Sequence, residues 1–252
     1  MTQRRTAVVT GGGSGIGRAI ALRLAEDGFA TAVLDLDEES AERVAEEARH
    51  KGHQAVAVGG VDVSDRAQVD DAVRRVQGTL GGPVLALVNN AGVARTEGFL
   101  KITDDSWERI MAVNLNGPFY CCQAVVPGMK EAGWGRIVNI SSSSAQSGQP
   151  YMTHYVASKA GLIGFTKALA LELGPAGITV NTVPPGFVDT PMLRASEERG
   201  LLGGSVEHHA ELTPVRRAGR PEDIAATCSF LVSEEAGYVT GQVIGVNGGR
   251  NT

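Results

Sequence analysis

TAVVTGGGSGIGRAIALRL, residues 6–24, passes from a short β-branched apolar run through a glycine-dominated turn into a segment whose apolar residues recur at helical spacing (Ile16, Ala19, Ile20, Leu22, Leu24). Strand, glycine turn and helix in that order predict a tight βα connection with the helix N-terminus facing a ligand. Gly11, Gly15 and Gly17 are spaced G-x-x-x-G-x-G. Small residues there permit a sharp turn and close backbone approach, and the first helical turn, with Ser14 and Ile16, offers N–H donors to a pyrophosphate. No Gly-Lys-Ser/Thr follows, so the turn is not a P-loop.

The next apolar run, 30–34, ends at Asp35. A carboxylate there can accept hydrogen bonds from both ribose hydroxyls of an adenosine and would repel a 2′-phosphate, which favours NAD over NADP. Asp37 lies two residues past the end of the run. The alternation then continues with a charge-laced amphipathic helix at 38–51 and a third strand at 54–58 leading to Asp62-Val63. A helix at 65–80 is broken by Gly81-Gly82-Pro83, and a fourth strand at 84–88 is closed by Asn89-Asn90-Ala91-Gly92. Small and amide-bearing residues at that strand end suit close packing against a ligand. Residues 104–130 are mostly helical in pattern, with Pro118 able to bend them. Asn114, among Met111, Val113, Leu115 and Phe119, is either a satisfied core amide or part of a polar site.

A fifth strand at 136–140 delivers Ser141, Ser142, Ser143 and Ser144 to its C-terminal end, where open parallel sheets place their chemistry. A helix at 153–173 stops at Gly174-Pro175, a sixth strand spans 178–183, and Pro184-Pro185-Gly186 opens a stretch, 187–220, outside the βα rhythm. That stretch reads as a substrate lid. A helix at 221–232 and a strand at 243–246 close the chain. The pattern predicts an α/β, Rossmann-type doubly wound parallel sheet of seven strands with helices on both faces, forming one nucleotide-binding catalytic domain over 1–252.

Composition narrows the class. The 33 glycines follow no Gly-X-Y period and suit tight βα turns. A formal net charge of -5 argues against a general nucleic-acid surface. Cys121, Cys122 and Cys228 form no CxxC and fit a reduced compartment. With no apolar run of membrane-spanning length and a strand starting at residue 6, the expected location is cytoplasmic, with no membrane partner. His208-His209 lacks a supporting ligand set, so no metal is expected.

In SSSAQSGQPYMTHYVASK, residues 142–159, Tyr155 and Lys159 are four apart at the start of an apolar run. On a helix they share one face, and a cation beside a phenol is expected to lower the tyrosine pKa toward the range of a proton-transfer catalyst. Where negative charge develops on a carbonyl oxygen, a site needs a nearby proton and a fixed donor, which Tyr155 and one of the serines at 141–144 can supply. His154 adjoins Tyr155 but points elsewhere on a helix, which suits a substrate-pocket or packing role.

Taken together, TGGGSGIG at 10–17, Asp62, NNAG at 89–92, Asn114, Ser142, Tyr155-x-x-x-Lys159, Pro185-Gly186 and Thr190 resemble the short-chain dehydrogenase/reductase family over essentially the whole chain. With GRPEDIA at 219–225, the string is most similar to the 3-oxoacyl-thioester reductases and related alcohol and ketone dehydrogenases. The resemblance implies that Tyr155 is the general acid/base and Ser142 a donor to the substrate oxygen. Lys159 would hold the nicotinamide ribose, and Asn114 would anchor a proton-relaying water. It places Asp62 and Val63 at the adenine, Asn89 and Gly92 at the cofactor ribose region, and Val188 and Thr190 at the nicotinamide carboxamide, with Ala91, Pro185 and Gly186 also among the cofactor-binding residues. The substrate is expected near Ala94, Gln149 and His154. A homotetramer is implied, its helices at 104–130 and 153–173 pairing between subunits. Asp35 tilts the expectation toward an NAD-linked secondary alcohol/ketone enzyme. A 3-oxoacyl-thioester reductase is the alternative, and an inactive dinucleotide-sensing or scaffold protein the rival of another class. Asn247 stands where the family often has aspartate, for no reason visible in the sequence.

Overall fold

Residues 6–10 and 30–34 are buried along their whole length, as strands covered on both faces must be. The computed structural model describes residues 4–201 and 203–251. Position 202 of the expected lid and both ends of the expected 1–252 domain therefore lie outside the described residues. β1 (Thr6–Thr10) runs into α1 (Gly15–Glu26), followed by β2 (Ala30–Leu34), α2 (Glu38–His50), β3 (Ala55–Val58), α3 (Arg66–Leu80) and β4 (Val84–Asn89). Then come α4 (Asp104–Met111), α5 (Gly117–Ala132), β5 (Gly135–Ile140), the short α6 (Ser144–Ser147), α7 (Thr153–Leu173) and β6 (Ile178–Val183). α8 (Pro191–Glu198), α9 (Val206–Glu211) and α10 (Pro221–Val232) complete the order. Among the described residues the strands form one six-stranded, all-parallel sheet in the order β3-β2-β1-β4-β5-β6.

Helices cover both faces. Ile20 and Leu24 of α1 meet Ile224 and Leu231 of α10 on one, while Val69 and Val76 of α3 meet Val125 and Met129 of α5 on the other. The strand order reverses between β1 and β4, so the crevice of this Rossmann-type fold opens beyond their C-terminal ends. Among the described residues no helix is long and apolar enough to cross a membrane.

Two expectations change in detail. The expected seventh strand, 243–246, lies beside β6 but is reduced to isolated parallel bridges, Thr182 to Val243 and Pro185 to Val246. Pro184 and Pro185 supply no N–H, so a continuous ladder cannot form. The expected helical stretch 104–130 is interrupted by a π-helical turn, Ala112–Asn116, between α4 and α5. The extra residue in that turn seats the fully buried Asn114, whose amide pairs with both backbone groups of Val93. Asp37 proves to be the N-cap of α2, accepting from the Ser40 N–H, which separates its role from that of Asp35.

Ile20 is completely buried where α1 packs on α10. Ile20→Ala should lower unfolding stability by about 2–5 kcal/mol, read as a drop in the urea midpoint at fixed protein concentration.

Candidate active site

The crevice floor is built by close backbone approach. A Cβ on Gly17 would lie 2.0 Å from the Gly11 carbonyl oxygen, and Gly11 and Gly15 have φ of +61 and +51. Only glycine meets these demands without strain. Asn90 locks the turn to β4, its Nδ2 donating to the carbonyls of Thr10 and Gly11 at 3.0 Å each. Asn89, expected at the cofactor, turns its side chain the other way. It is buried and donates to Asn139 Oδ1 at 2.8 Å, because neighbouring strand residues face opposite sides of the sheet. The amide at the glycine turn is therefore that of Asn90, and the side chain of Asn89 leaves the expected cofactor set.

These residues fit a dinucleotide. Ser14, the N-cap of α1, makes no side-chain capping bond, which leaves the first N–H groups of the helix open to an anion. The Asp35 carboxylate is held at the end of β2, where Oδ2 accepts from the Gly13 N–H at 2.8 Å and Oδ1 from the Asp37 N–H at 3.0 Å. Across the crevice, a Cβ on Gly15 would come 3.6 Å from Thr190, and the Thr190 hydroxyl caps α8 through the Leu193 N–H. Val188 and Pro185 are buried behind it. Asp62 is engaged by Arg109 at 2.9 Å and by Ser64, while Val63 packs against the start of α5, where a Cβ on Gly117 would come 2.9 Å from its Cγ2.

β5 and α7 bring the reactive side chains together. Ser141 is turned inward and donates to the Lys159 carbonyl at 2.9 Å, which removes it from the candidates. The Ser142 hydroxyl stands 2.8 Å from that of Ser144 and also hydrogen-bonds the Tyr155 phenol. Lys159 is buried, with Nζ donating to the Ile140 carbonyl at 2.9 Å, and desolvation pushes its pKa down to about 8. A Cβ on Gly92 would lie 3.2 Å from Asn114 Oδ1 and 3.3 Å from Lys159 Nζ, so the missing side chain keeps open the space that both border. Asn114 also donates to Ser158, whose hydroxyl donates to the Tyr155 carbonyl. The expected lowering of the Tyr155 pKa by Lys159 is not found. Burial raises it, and the Ser142 hydrogen bond opposes that rise. One of the three N–H donors of the Lys159 ammonium is engaged by the Ile140 carbonyl.

Of the expected substrate contacts, Ala94 and Gln149 are exposed. His154 is not: it is completely buried, with Nε2 3.1 Å from Glu97 Oε2, and Glu97 is also bonded by Ser106. The imidazole ties the start of α7 to the loop after β4 and does not line the pocket. In the lid region, Arg194 fastens α8 by a two-point contact with Asp189, at 2.8 and 2.7 Å, and reaches Glu197 and Glu207. Sequence reasoning missed Asn90 as the lock of the glycine turn, Ser144 beside Ser142, and Arg194. Among the described residues no group of His, Cys, Asp and Glu is arranged to hold a metal ion.

The family described as enoyl-(acyl carrier protein) reductase matches residues 11–251. The nodulation protein G of Azospirillum brasilense is 42% identical over 251 residues, covering 98% of each chain. The acetoacetyl-CoA reductase of Cupriavidus necator is 42% identical over 250 residues, covering 99% of this chain and 98% of its own. The crystal structure of levodione reductase superposes with a TM-score of 0.91 at 31% identity, covering 98% of this chain and 97% of its own.

The buried lysine has a measurable consequence. With a folded pKa of about 8 against an ordinary 10.5, Lys159 binds fewer protons in the folded than in the unfolded chain between those values. Its cost to stability is therefore full below about pH 8 and fades as pH rises toward 10.5. Urea unfolding at about pH 7 and about pH 9.5 should show wild type gaining stability relative to Lys159→Met. The buried thiols titrate in both proteins and cancel, so parallel changes would mean that Lys159 keeps its ordinary pKa.

Proposed function

Because the chain belongs to the short-chain dehydrogenase/reductase family, we propose that this nicotinamide-dependent oxidoreductase transfers a hydride reversibly between NAD(H) and the 3-position of an acyl thioester, interconverting 3-oxoacyl and 3-hydroxyacyl groups. The observation that carries the reading is the meeting of Ser142, Tyr155, Lys159 and Asn114 beside Gly92 at the open edge of the sheet. The cofactor, when bound, supplies or accepts the hydride. Tyr155 gives its proton to the carbonyl oxygen during reduction and takes it back during oxidation. A phenol held above its ordinary pKa is fully protonated at neutral pH, which is the state reduction requires. Ser142 donates a hydrogen bond to the same oxygen as negative charge develops there. Lys159 holds the nicotinamide ribose, and Asn114, which borders the same space beside Gly92, anchors a water that relays protons to Lys159.

Asp35 supports NAD over NADP. Two backbone N–H groups hold the carboxylate in place, where it would meet ribose hydroxyls and repel a 2′-phosphate. It says nothing about the substrate. The tilt toward free ketones drawn from it therefore gives way to the thioester named for the Cupriavidus relative and the acyl carrier named for the family. A free secondary alcohol/ketone is the second reading, favoured by the close superposition on levodione reductase. The intact set of Asn114, Ser142, Tyr155 and Lys159 counts against an inactive dinucleotide sensor. Residues 187–220 serve as the lid over this site. The protein works as a homotetramer, a reading supported by α7, which is apolar around much of its circumference, and by the exposed Leu171 and Phe119.

Tyr155→Phe should fold and bind NADH while losing about 10²–10⁴-fold in turnover; near-normal rates would sink the mechanism. Initial rates with NADH and NADPH across acetoacetyl-CoA, longer 3-oxoacyl thioesters and free cyclic ketones should favour NADH and thioesters. Faster reduction of free ketones would establish the second reading. Light scattering after size exclusion should give the mass of four chains, and a single-chain mass would remove the proposed helix pairing.

A further inference from the structure

Asn247 uses both ends of its amide. Oδ1 accepts from the Gly249 N–H at 2.9 Å, and Nδ2 donates to the Asn251 carbonyl at 2.9 Å. Asn251 in turn donates from its own Nδ2 to the carbonyl of Ser143 at 2.8 Å, a contact spanning 108 residues of chain. Ser143 directly follows Ser142. Its N–H is held from another direction, donating to the Pro185 carbonyl at 2.9 Å, and the adjoining Gly186 N–H donates to the Val246 carbonyl at 2.9 Å. The circuit thus runs from the serine loop to the 185–186 turn, on to 246–247, through Asn251 and back to Ser143. It has little slack, because a Cβ on Gly186 would lie 2.6 Å from the Asn247 Cα.

We propose that Asn247 and Asn251 are positioning residues that fix the backbone after Ser142, and so aim its hydroxyl at the substrate oxygen beside Tyr155. The inference rests on the catalytic reading of Ser142 given above. Both polar groups of the Ser143 backbone are held by segments remote in sequence; without Asn251 the N–H keeps Pro185, but the carbonyl is left with only the donors of its own short turn, among them the Gln146 and Ser147 N–H groups. The chemistry also explains why position 247 carries an amide. An aspartate could still accept from Gly249, but it has no donor for the Asn251 carbonyl and would set a carboxylate against it.

The test compares wild type, Asn251→Ala, Asn247→Asp, Ser142→Ala and Ser142→Ala/Asn251→Ala, using the best ketone of the panel above. Asn251→Ala and Asn247→Asp should each lower kcat by about ten- to a hundredfold, with KM for NADH and Tm close to wild type. In the Ser142→Ala background the loss from Asn251→Ala should vanish, since there is no hydroxyl left to aim. An equal further loss in the double variant would show that Asn251 acts on the fold at large, and would overturn the positioning role while leaving the proposed function standing. Wild-type turnover in Ser142→Ala would remove the catalytic reading of Ser142 and the positioning role with it. Independently of activity, hydrogen–deuterium exchange of Asn251→Ala should quicken in peptides covering 141–148 and stay unchanged in those covering 11–17. Unchanged exchange at 141–148 would also overturn the proposal.

Discussion

The contact between Gly17 and the Gly11 carbonyl leaves no room for a methyl group, and the crevice depends on it. It lets α1 start directly at the end of β1, so that the helix N-terminus points along the open edge of the sheet and its first N–H groups face outward. Asn90 fastens the same carbonyl to the end of β4, which closes the point where the strand order reverses. Other pieces of the site are placed relative to this junction: Asp35 through the Gly13 N–H, and Thr190 across from Gly15.

Around the junction, polar side chains divide into two groups with different work. Asn89, Asn139 and Thr166 link β4, β5 and α7 in the interior, and Ser141 ties β5 to the Lys159 carbonyl. Glu97, Ser106 and His154 fasten the loop after β4 to the start of α7. These groups bond one another, as burial favours, and among them Asn89 Oδ1 and His154 Nδ1 are buried without a partner. Ser142, Tyr155 and Lys159 are left with capacity directed at the crevice. Lys159 shows what this costs, since burial with one carbonyl partner makes its ammonium less favoured over the neutral amine than it is in water. The fold bears that cost at the place where a cation is of chemical use.

In the proposed function, cofactor choice and substrate choice are physically separate. The carboxylate of Asp35 sits at the end of β2, on the adenosine side, and its own hydrogen bonds hold it in place. The proposed substrate side is that of the exposed Ala94 and Gln149 and of α8 and α9, which Arg194 joins through Glu207. A preference for NAD therefore carries no information about whether the ketone belongs to a thioester.

The amino-acid sequence determined the rhythm of strands and helices by itself, because uninterrupted apolar runs punctuated by glycine and proline leave little choice of local structure. The limits of β2, α7, β6 and α10 match the expected ones. It also determined the residue types of the site, since Tyr155 and Lys159 on one helical face and a glycine turn before α1 follow from spacing alone. What only the tertiary structure decided was direction and partner. Asn89 and Asn90 are neighbours in sequence and face opposite ways, His154 is claimed by Glu97 and removed from the pocket, and Ser141 turns inward while Ser142 stays available. The π turn around Asn114, the broken pairing at 243–246 and the reach of Asn251 to Ser143 belong to the same class. Each depends on which distant segment lies within hydrogen-bonding distance, and spacing along the chain does not contain that information.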